Sequence, residues 1–298
     1  MKITNKFGLP EALADFARAE KYSRGDADIS VTTLIDSPRV RLLREDHKDE
    51  IEQDVSDMVW PLFGTAVHSV LEGADHDKKI VKEERLYADV GGWKLSGAID
   101  HQELMPDGTV QITDYKVTSV WSVILGKVEW ERQQNCYAWL VENAKGHEFE
   151  GRKVSSIRIC AILRDWQRKK AEFDKDYPQA PVAMIQLKLW NQEELENYVY
   201  NRISLHQEAQ LFHDVYDDMP MCSDEDRWKK PAQWAVMKGS NKRAVKLFDT
   251  QEDAEQLIAE SADSSMHIQV RSGEATRCVG NYCSVSQFCG QFLGWVKR

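Results

Sequence analysis

The 298-residue chain has no apolar run long enough to cross a bilayer, a span that needs roughly 20 consecutive apolar residues. It therefore gives no reason to expect a transmembrane helix. Its start, Met1-Lys2-Ile3-Thr4-Asn5-Lys6, lacks the apolar centre of a signal peptide, and a cytosolic protein without membrane contact is expected. It also lacks a positive balance: 39 Lys and Arg against 49 Asp and Glu give a net charge of −10, which argues against a general nucleic-acid coating role. Cysteine is limited to six residues, which in a reducing compartment serve as thiols or metal ligands rather than disulfides. What the chain has is enough apolar residue, 42%, for a core. Its length fits one elaborated domain or a domain plus a smaller module, at roughly 150 residues each.

Asp-x-Lys occurs three times, and only context separates the copies. Asp46-His47-Lys48 and Asp77-Lys78-Lys79 lie in continuously charged runs that read as solvated. Asp114 and Lys116 instead end Thr109-Val110-Gln111-Ile112-Thr113, which alternates as a strand does, so Val110, Ile112, Asp114 and Lys116 share one face. Charge at the end of an apolar strand face needs a reason, because a buried charge is costly unless paired or metal-bound. Upstream, Trp93 to Asp100 reads as a second strand with Lys94, Ser96, Ala98 and Asp100 on one face. Between the two lies Pro106-Asp107-Gly108, a turn in which proline presets φ and glycine supplies positive φ. A three-residue loop there places Asp100 directly across from Asp114, with Cα atoms roughly 4.5 to 5.5 Å apart. Carboxylates that close repel unless a cation sits between them, and their hard oxygens favour magnesium or manganese.

Ahead of the strands, Phe63, Val67, Val70 and Leu71 recur at helical spacing and form a stripe to bury. Gly64, His68 and Glu72, each four apart, form an adjacent face that can look at the hairpin. A histidine alone on such a helix is ordinarily a hydrogen-bonded structural residue; the aspartate pair makes it a candidate ligand.

The order His68, Gly97-x-x-Asp100, Asp114-x-Lys116 and Gln133-x-x-x-Tyr137 resembles the RecB-like branch of the PD-(D/E)XK nucleases. That branch includes CRISPR-associated RecB-like exonucleases, AddB and many phage enzymes. The similarity covers about residues 30 to 200; phage members are also resembled in Ile29 to Ile35 and in the cysteine-rich tail. The resemblance implies one or two divalent ions on His68, Asp100, Asp114 and the Tyr115 carbonyl, with Lys116 positioning the attacking water or stabilising the transition state. It implies that Gln133 orients Lys116 or the substrate and that Tyr137 contacts a phosphate or supports the site; read alone, both are ordinary positions on the amphipathic face of Trp130 to Ala144. An acidic chain is compatible with this chemistry because the metals bring positive charge to the site. The family's usual amino-terminal Cys-Pro pair is absent, since Ser37 precedes Pro38 here.

In chain order, the first 28 residues read as a polar helix without a role, and residues 43 to 58 as an exposed helix. Val81 to Val90 reads as an edge strand, whose Glu83 and Glu84 are either further metal-shell carboxylates or, the preferred reading, charges that keep the edge from aggregating. Further strands are expected at Ser155 to Leu163 and Val182 to Trp190. Asn191-Gln192-Glu193-Glu194 reads as a capping box opening a long helix. The segment Arg164-Asp165-Trp166-Gln167-Arg168-Lys169-Lys170 could grip a nucleic-acid backbone and stack a base, or be a solvated charge run. The fold expected is α/β, a restriction-endonuclease-like mixed sheet flanked by helices, with a small cysteine-bracketed α+β carboxy-terminal subdomain. The divisions expected are an N-terminal helical segment at 1–60, the nuclease core at 61–212 and the subdomain at 213–298.

In that last part, Trp234 to Lys238 and Ala244 to Phe248 read as a hairpin around Gly239-Ser240-Asn241, before a helix at Glu252 to Glu260 and a strand at Ile268 to Arg271. Cys222 precedes this unit, and Cys278, Cys283 and Cys289 follow it. Four such thiolates point to a structural metal site, tetrahedral zinc or an iron-sulfur cluster, or remain unliganded; Cys136 and Cys160 sit in apolar patterns as core. The last three resemble the carboxy-terminal cluster ligands of RecB-like nucleases, with four residues in the first interval where many members have two. The resemblance therefore favours a four-iron four-sulfur cluster with Cys222 as the fourth ligand. Arg227, Trp228, Lys229, Lys230, Trp234, Lys238, Lys242 and Arg243 form a basic, aromatic cluster suited to a strand. The activity implied is metal-dependent exonucleolytic hydrolysis of DNA ends or single strands, in phage-type recombination or replication with a protein partner from those pathways. A silent DNA-end-binding or partner-binding scaffold of nuclease descent and a CRISPR-type spacer-processing nuclease are the alternatives.

Overall fold

The computed structural model describes residues 1–19, 25–73, 79–261 and 263–296, with the side chains of Glu72, Trp295 and Val296 not described. The chain packs as two units, Met1–Pro38 with Lys48–Asp218, and Arg39–His47 with Met219–Arg298. No helix among the described residues is long and apolar enough to cross a membrane.

The first unit is built on a six-stranded mixed sheet, β2 (Ile29–Ser30), β5 (Trp93–Leu104), β6 (Val110–Thr118), β7 (Val154–Leu163) and β8 (Val182–Gln186) in that order, with β4 (Ile80–Val90) on the other edge of β5. β5 and β6 are joined by the expected turn: Met105 N–H donates to Thr109 O at 2.8 Å, Gly108 N–H to Met105 O at 2.9 Å, and Gly108 has φ 85°. The β4–β5 and β5–β6 pairings are antiparallel; β6–β7 and β2–β5 are parallel. The parallel step requires a crossover, supplied by α5 (Val120–Ile124) and α6 (Val128–Asn143).

α6 is buried nearly all round, from Gln133 to Val141, so its apolar residues need not keep to one stripe. Cys136, Ala138, Leu140 and Val141 join Ile99, Ile112 and Ile157 of the sheet and Val199 and Ile203 of α8 (Gln192–Tyr216) in the main core. α8 opens with the expected box, Asn191 Oδ1 accepting from Glu194 N and Glu194 Oε2 from Asn191 N. A separate small cluster joins Ala14 and Ala17 of α1 (Glu11–Arg18) to Val55, beside the parallel pair β1 (Lys2–Thr4) and β3 (Glu52–Asp54).

Three expectations need correction. Residues 43 to 58 are not one exposed helix: α3 (Pro38–Asp46) buries Val40, Leu42 and Leu43, and β3 follows. The strand from Val182 ends at Gln186, because Trp190 leaves the ladder to donate its N–H to Asn135 Oδ1 and its indole N–H to Glu131 Oε1. On α4 (Val59–Gly73) the expected stripe is not buried: Phe63 and Val70 are exposed, whereas Gly64, Val67, His68 and Leu71 are half-buried. The helix is rolled so that His68 turns inward with Val67 and Leu71, and the rest of the stripe turns out.

The second unit holds an antiparallel sheet in the order β10 (Lys246–Phe248), β9 (Gln233–Lys238), β11 (Met266–Arg271), with α9 (Gln251–Ser261) packed on it. α10 (Thr276–Val279) and α11 (Gly290–Val296) complete it.

Candidate active site

The β5–β6 ladder runs from Leu104↔Val110 to His101↔Thr113 and then stops. The next rung is Asp100 and Asp114, in the register read from the turn. Instead of pairing backbone to backbone there, Asp100 Oδ2 accepts from Tyr115 N–H at 2.8 Å. Two buried carboxylates facing each other split the strands, and a side chain takes the donor that a ladder bond would have used.

Asp114 is 1% exposed. Its Oδ1 accepts from Gln134 Nε2 at 3.1 Å, while Oδ2 pairs with the Lys116 ammonium, 2.7 Å from Nζ. His68 reaches down from α4, its Nε2 3.1 Å from Tyr115 O and its Nδ1 3.2 Å from Glu83 Oε1 and 3.7 Å from Asp100 Oδ2. One ligand atom each from His68, Glu83 and Asp100 falls within 4.8 Å of the others. Asp-x-Lys copies elsewhere join no such group among the described residues; Asp77 and Lys78 lie outside them.

The electrostatics are those of a cation site. Burial, then the charge of Asp114, pushes the Asp100 carboxyl up to about 7. The hydrogen bond to Glu83, with the charge of Asp100 behind it, raises His68 to about 9. For Lys116, burial works against the ammonium, but Asp114 and Asp100 together outweigh it and its pKa is raised. The grouped carboxylates of Glu83 and Asp100 and the imidazole of His68, with the Tyr115 carbonyl on the ring's other nitrogen, are a hard donor set that fits magnesium or manganese.

Glu83 corrects the sequence reading that made it an edge charge. β4 pairs with β5 at Lys82↔His101 and Glu84↔Ile99, which sets Glu83 opposite Asp100 on its face of the sheet, with φ 48°. Glu84 points away and accepts from Gln102 Nε2. On α6, Gln133, expected to orient Lys116 or the substrate, and its neighbour Gln134 make different contacts. Gln134, fully buried, holds Asp114, whereas Gln133 donates to Tyr137 Oη at 2.8 Å. Tyr137 lies over Gly97, where a Cβ would stand 2.8 Å from its ring and 2.7 Å from Leu140 Cδ1. The Gly of Gly-x-x-Asp is thus a close-approach position, and the Gln-Tyr pair braces the strand end that carries Asp100. Trp166 is half-buried: it packs against the Tyr177 cluster and donates its indole N–H to Pro178 O.

In the second unit, Cys222, Cys278, Cys283 and Cys289 line one small cavity. Arg39, 8% exposed, donates its Nε–H to Cys289 Sγ at 3.3 Å. Gln291 holds the Cys222 backbone at both N–H and carbonyl, 2.9 and 3.0 Å. Burial, then Cys283 and Cys289, pushes the Cys278 thiol up. Cys136 is fully buried in the core as expected, whereas Cys160 is only half-buried. Of the basic cluster, Arg227 and Lys229 pair with Asp224 and Lys238 pairs with Asp263, which leaves these three less free for phosphate than the sequence implied.

None of the curated proteins matches this chain. Among solved structures, SSO0001 is similar, with 15% identity and a TM-score of 0.40 over 71% of this chain and 95% of that one. The family model described as the PD-(D/E)XK nuclease superfamily matches residues 73–290, well over half of the sequence and all of the strands that carry Asp100, Asp114 and Lys116. With its split β5–β6 rung and its carboxylate, imidazole and ammonium groups gathered there, the chain belongs to the PD-(D/E)XK nuclease superfamily.

Proposed function

We propose that this nuclease is an exonuclease of the RecB-like branch, hydrolysing phosphodiester bonds at DNA ends or in single strands with one or two magnesium or manganese ions on His68, Asp100, Asp114 and the Tyr115 carbonyl. The observation that carries this is the end of the β5–β6 ladder before Asp100 and Asp114, where Asp100 Oδ2 lies 3.7 Å from His68 Nδ1 and Asp114 Oδ2 lies 2.7 Å from Lys116 Nζ. When bound, a divalent ion supplies a water of lowered pKa and positive charge against the phosphate.

The chain's own residues do the rest. Tyr115 N–H fixes Asp100, and Gln134 fixes one oxygen of Asp114 while leaving the other toward the site. Lys116, paired with Asp114, holds an ammonium where negative charge develops on the phosphate, a preorganised interaction that needs no rearrangement during reaction. The branch reading is supported by the order of its motifs falling on a single site. A role in phage-type recombination or replication follows from that resemblance, as does a protein partner in those pathways.

Metal-free protein incubated with end-labelled single- and double-stranded DNA, with magnesium or manganese added, tests the activity and its polarity. Stepwise loss of nucleotides from an end is expected; no metal-dependent product from either substrate overturns the reading. For the four thiols, the soft donor set fits an iron-sulfur cluster or zinc, and the four-iron four-sulfur cluster is the reading carried from the resemblance. Protein purified without oxygen should be brown and absorb in the blue; a colourless sample carrying zinc replaces the cluster with that metal.

A further inference from the structure

Two turns from His68 toward the start of α4, Trp60 lies under the guanidinium of Arg164, whose Cζ is 4.3 Å from the ring centroid. Trp60, Gly64 and His68 recur every four residues and so share a helix face. A rise of 1.5 Å per residue puts Trp60 about 12 Å from His68 along the axis. Arg164 directly follows β7, and its N–H donates to Thr118 O at 3.0 Å, two residues beyond Lys116 in β6. Asp165 Oδ1 accepts from Val120 N–H at 2.7 Å and fixes the turn. The pair thus stands at the end of the sheet from which Asp114 and Lys116 act.

Trp60 is 50% exposed. Arg164 is also exposed and makes no ion pair with a carboxylate among the described residues. In a chain with a net charge of −10, a cation that has no carboxylate partner among the described residues, two turns of α4 from His68, is complementary to a phosphate. An indole stacks with any unpaired base, and a guanidinium binds both aromatic faces and phosphate oxygens. The interior of a duplex offers no free base face.

We propose that Trp60 and Arg164 form a subsite for single-stranded nucleic acid, the indole stacking on an unpaired base and the guanidinium holding a neighbouring phosphate. The strand then runs along α4 with its scissile bond a few nucleotides away, at Asp100 and Asp114. This rests on the hydrolytic reading above and narrows it, since the form of substrate engaged is a single strand or the frayed end of a duplex. The sequence offered Trp166 as a stacking residue or as part of a solvated charge run; the proposed subsite uses Trp60, which is distant in sequence.

The test uses the full chain in chelator, where no hydrolysis occurs, with a fluorescein-labelled oligothymidylate and a blunt two-strand duplex closed by G·C pairs at both ends as probes in anisotropy titrations. Trp60→Ala and Arg164→Ala are each expected to raise the single-strand Kd about tenfold, the scale of one lost base stack, and to leave the duplex Kd unchanged. Trp60→Phe, which keeps an aromatic face, should lose less, and it reports on stacking even if Trp60→Ala does not fold. An unaltered single-strand Kd in variants that melt with the wild type overturns the subsite. Equal weakening on both probes does so as well, because it would mark general electrostatics. Wild-type protein that binds the single strand through Trp60 but cleaves nothing with magnesium sinks the hydrolytic reading and not the subsite; the reverse pattern sinks only the subsite.

Discussion

His68 Nδ1 lies 3.2 Å from Glu83 Oε1, while the other ring nitrogen, Nε2, faces the Tyr115 carbonyl at 3.1 Å. A carboxylate there serves an ion either as a further ligand or by holding the imidazole in place, and loss of such a partner typically costs 10- to 100-fold in affinity. Glu83→Gln should therefore weaken manganese binding by about that factor, read by titration calorimetry on the purified protein. Affinity equal to wild type would show that Glu83 is an edge charge after all.

Asp114→Asn and Lys116→Ala should each remove detectable cleavage. Loss of a single preorganised group costs about 10²- to 10³-fold in rate, and Asp114 is in addition a metal ligand in the proposed site. Asp114→Asn retains an acceptor for Gln134 and spares the fold, whereas Asp114→Ala leaves Lys116 without its 2.7 Å partner. Circular dichroism beside single-turnover cleavage separates the effects; full magnesium-dependent activity in either folded variant contradicts the assignment.

Metal uptake should strengthen as pH rises. With Asp100 pushed up to about 7 and His68 to about 9 in the metal-free protein, both carry protons at pH 6, and an ion must displace them. Affinity accordingly increases between pH 6 and 9, with protons released on binding. Calorimetry in buffers of different ionisation enthalpy counts those protons, and a pH-independent affinity would be the contrary result.

Gly97→Ala should destabilise the fold and disturb the site with it. Its Cβ meets Leu140 Cδ1 at 2.7 Å and Tyr137 Cε1 at 2.8 Å, and both neighbours are buried in the core. Overpacking of this kind costs about 1 to 3 kcal/mol, measurable as a lowered urea midpoint. An unchanged midpoint would mean that α6 has room to move away from β5.

The sequence alone carried the hairpin. Pro106 to Gly108 names its own turn, and period-two alternation then fixes which residues of β5 and β6 face one another, so the opposition of Asp100 and Asp114 followed from local rules. The box at Asn191 and Glu194 was legible for the same reason, since its partners are three residues apart. Glu83 was not, because its place depends on the pairing of a whole separate strand with β5, and its charge alone is equally at home on an exposed edge. Gln134 was hidden because adjacent glutamines on a helix point about 100° apart, and only the packing of α6 on the sheet selects between them. The roll of α4 and the meeting of Trp60 with Arg164 were settled in the same way, by contacts between segments far apart in the chain whose free energy no local pattern records.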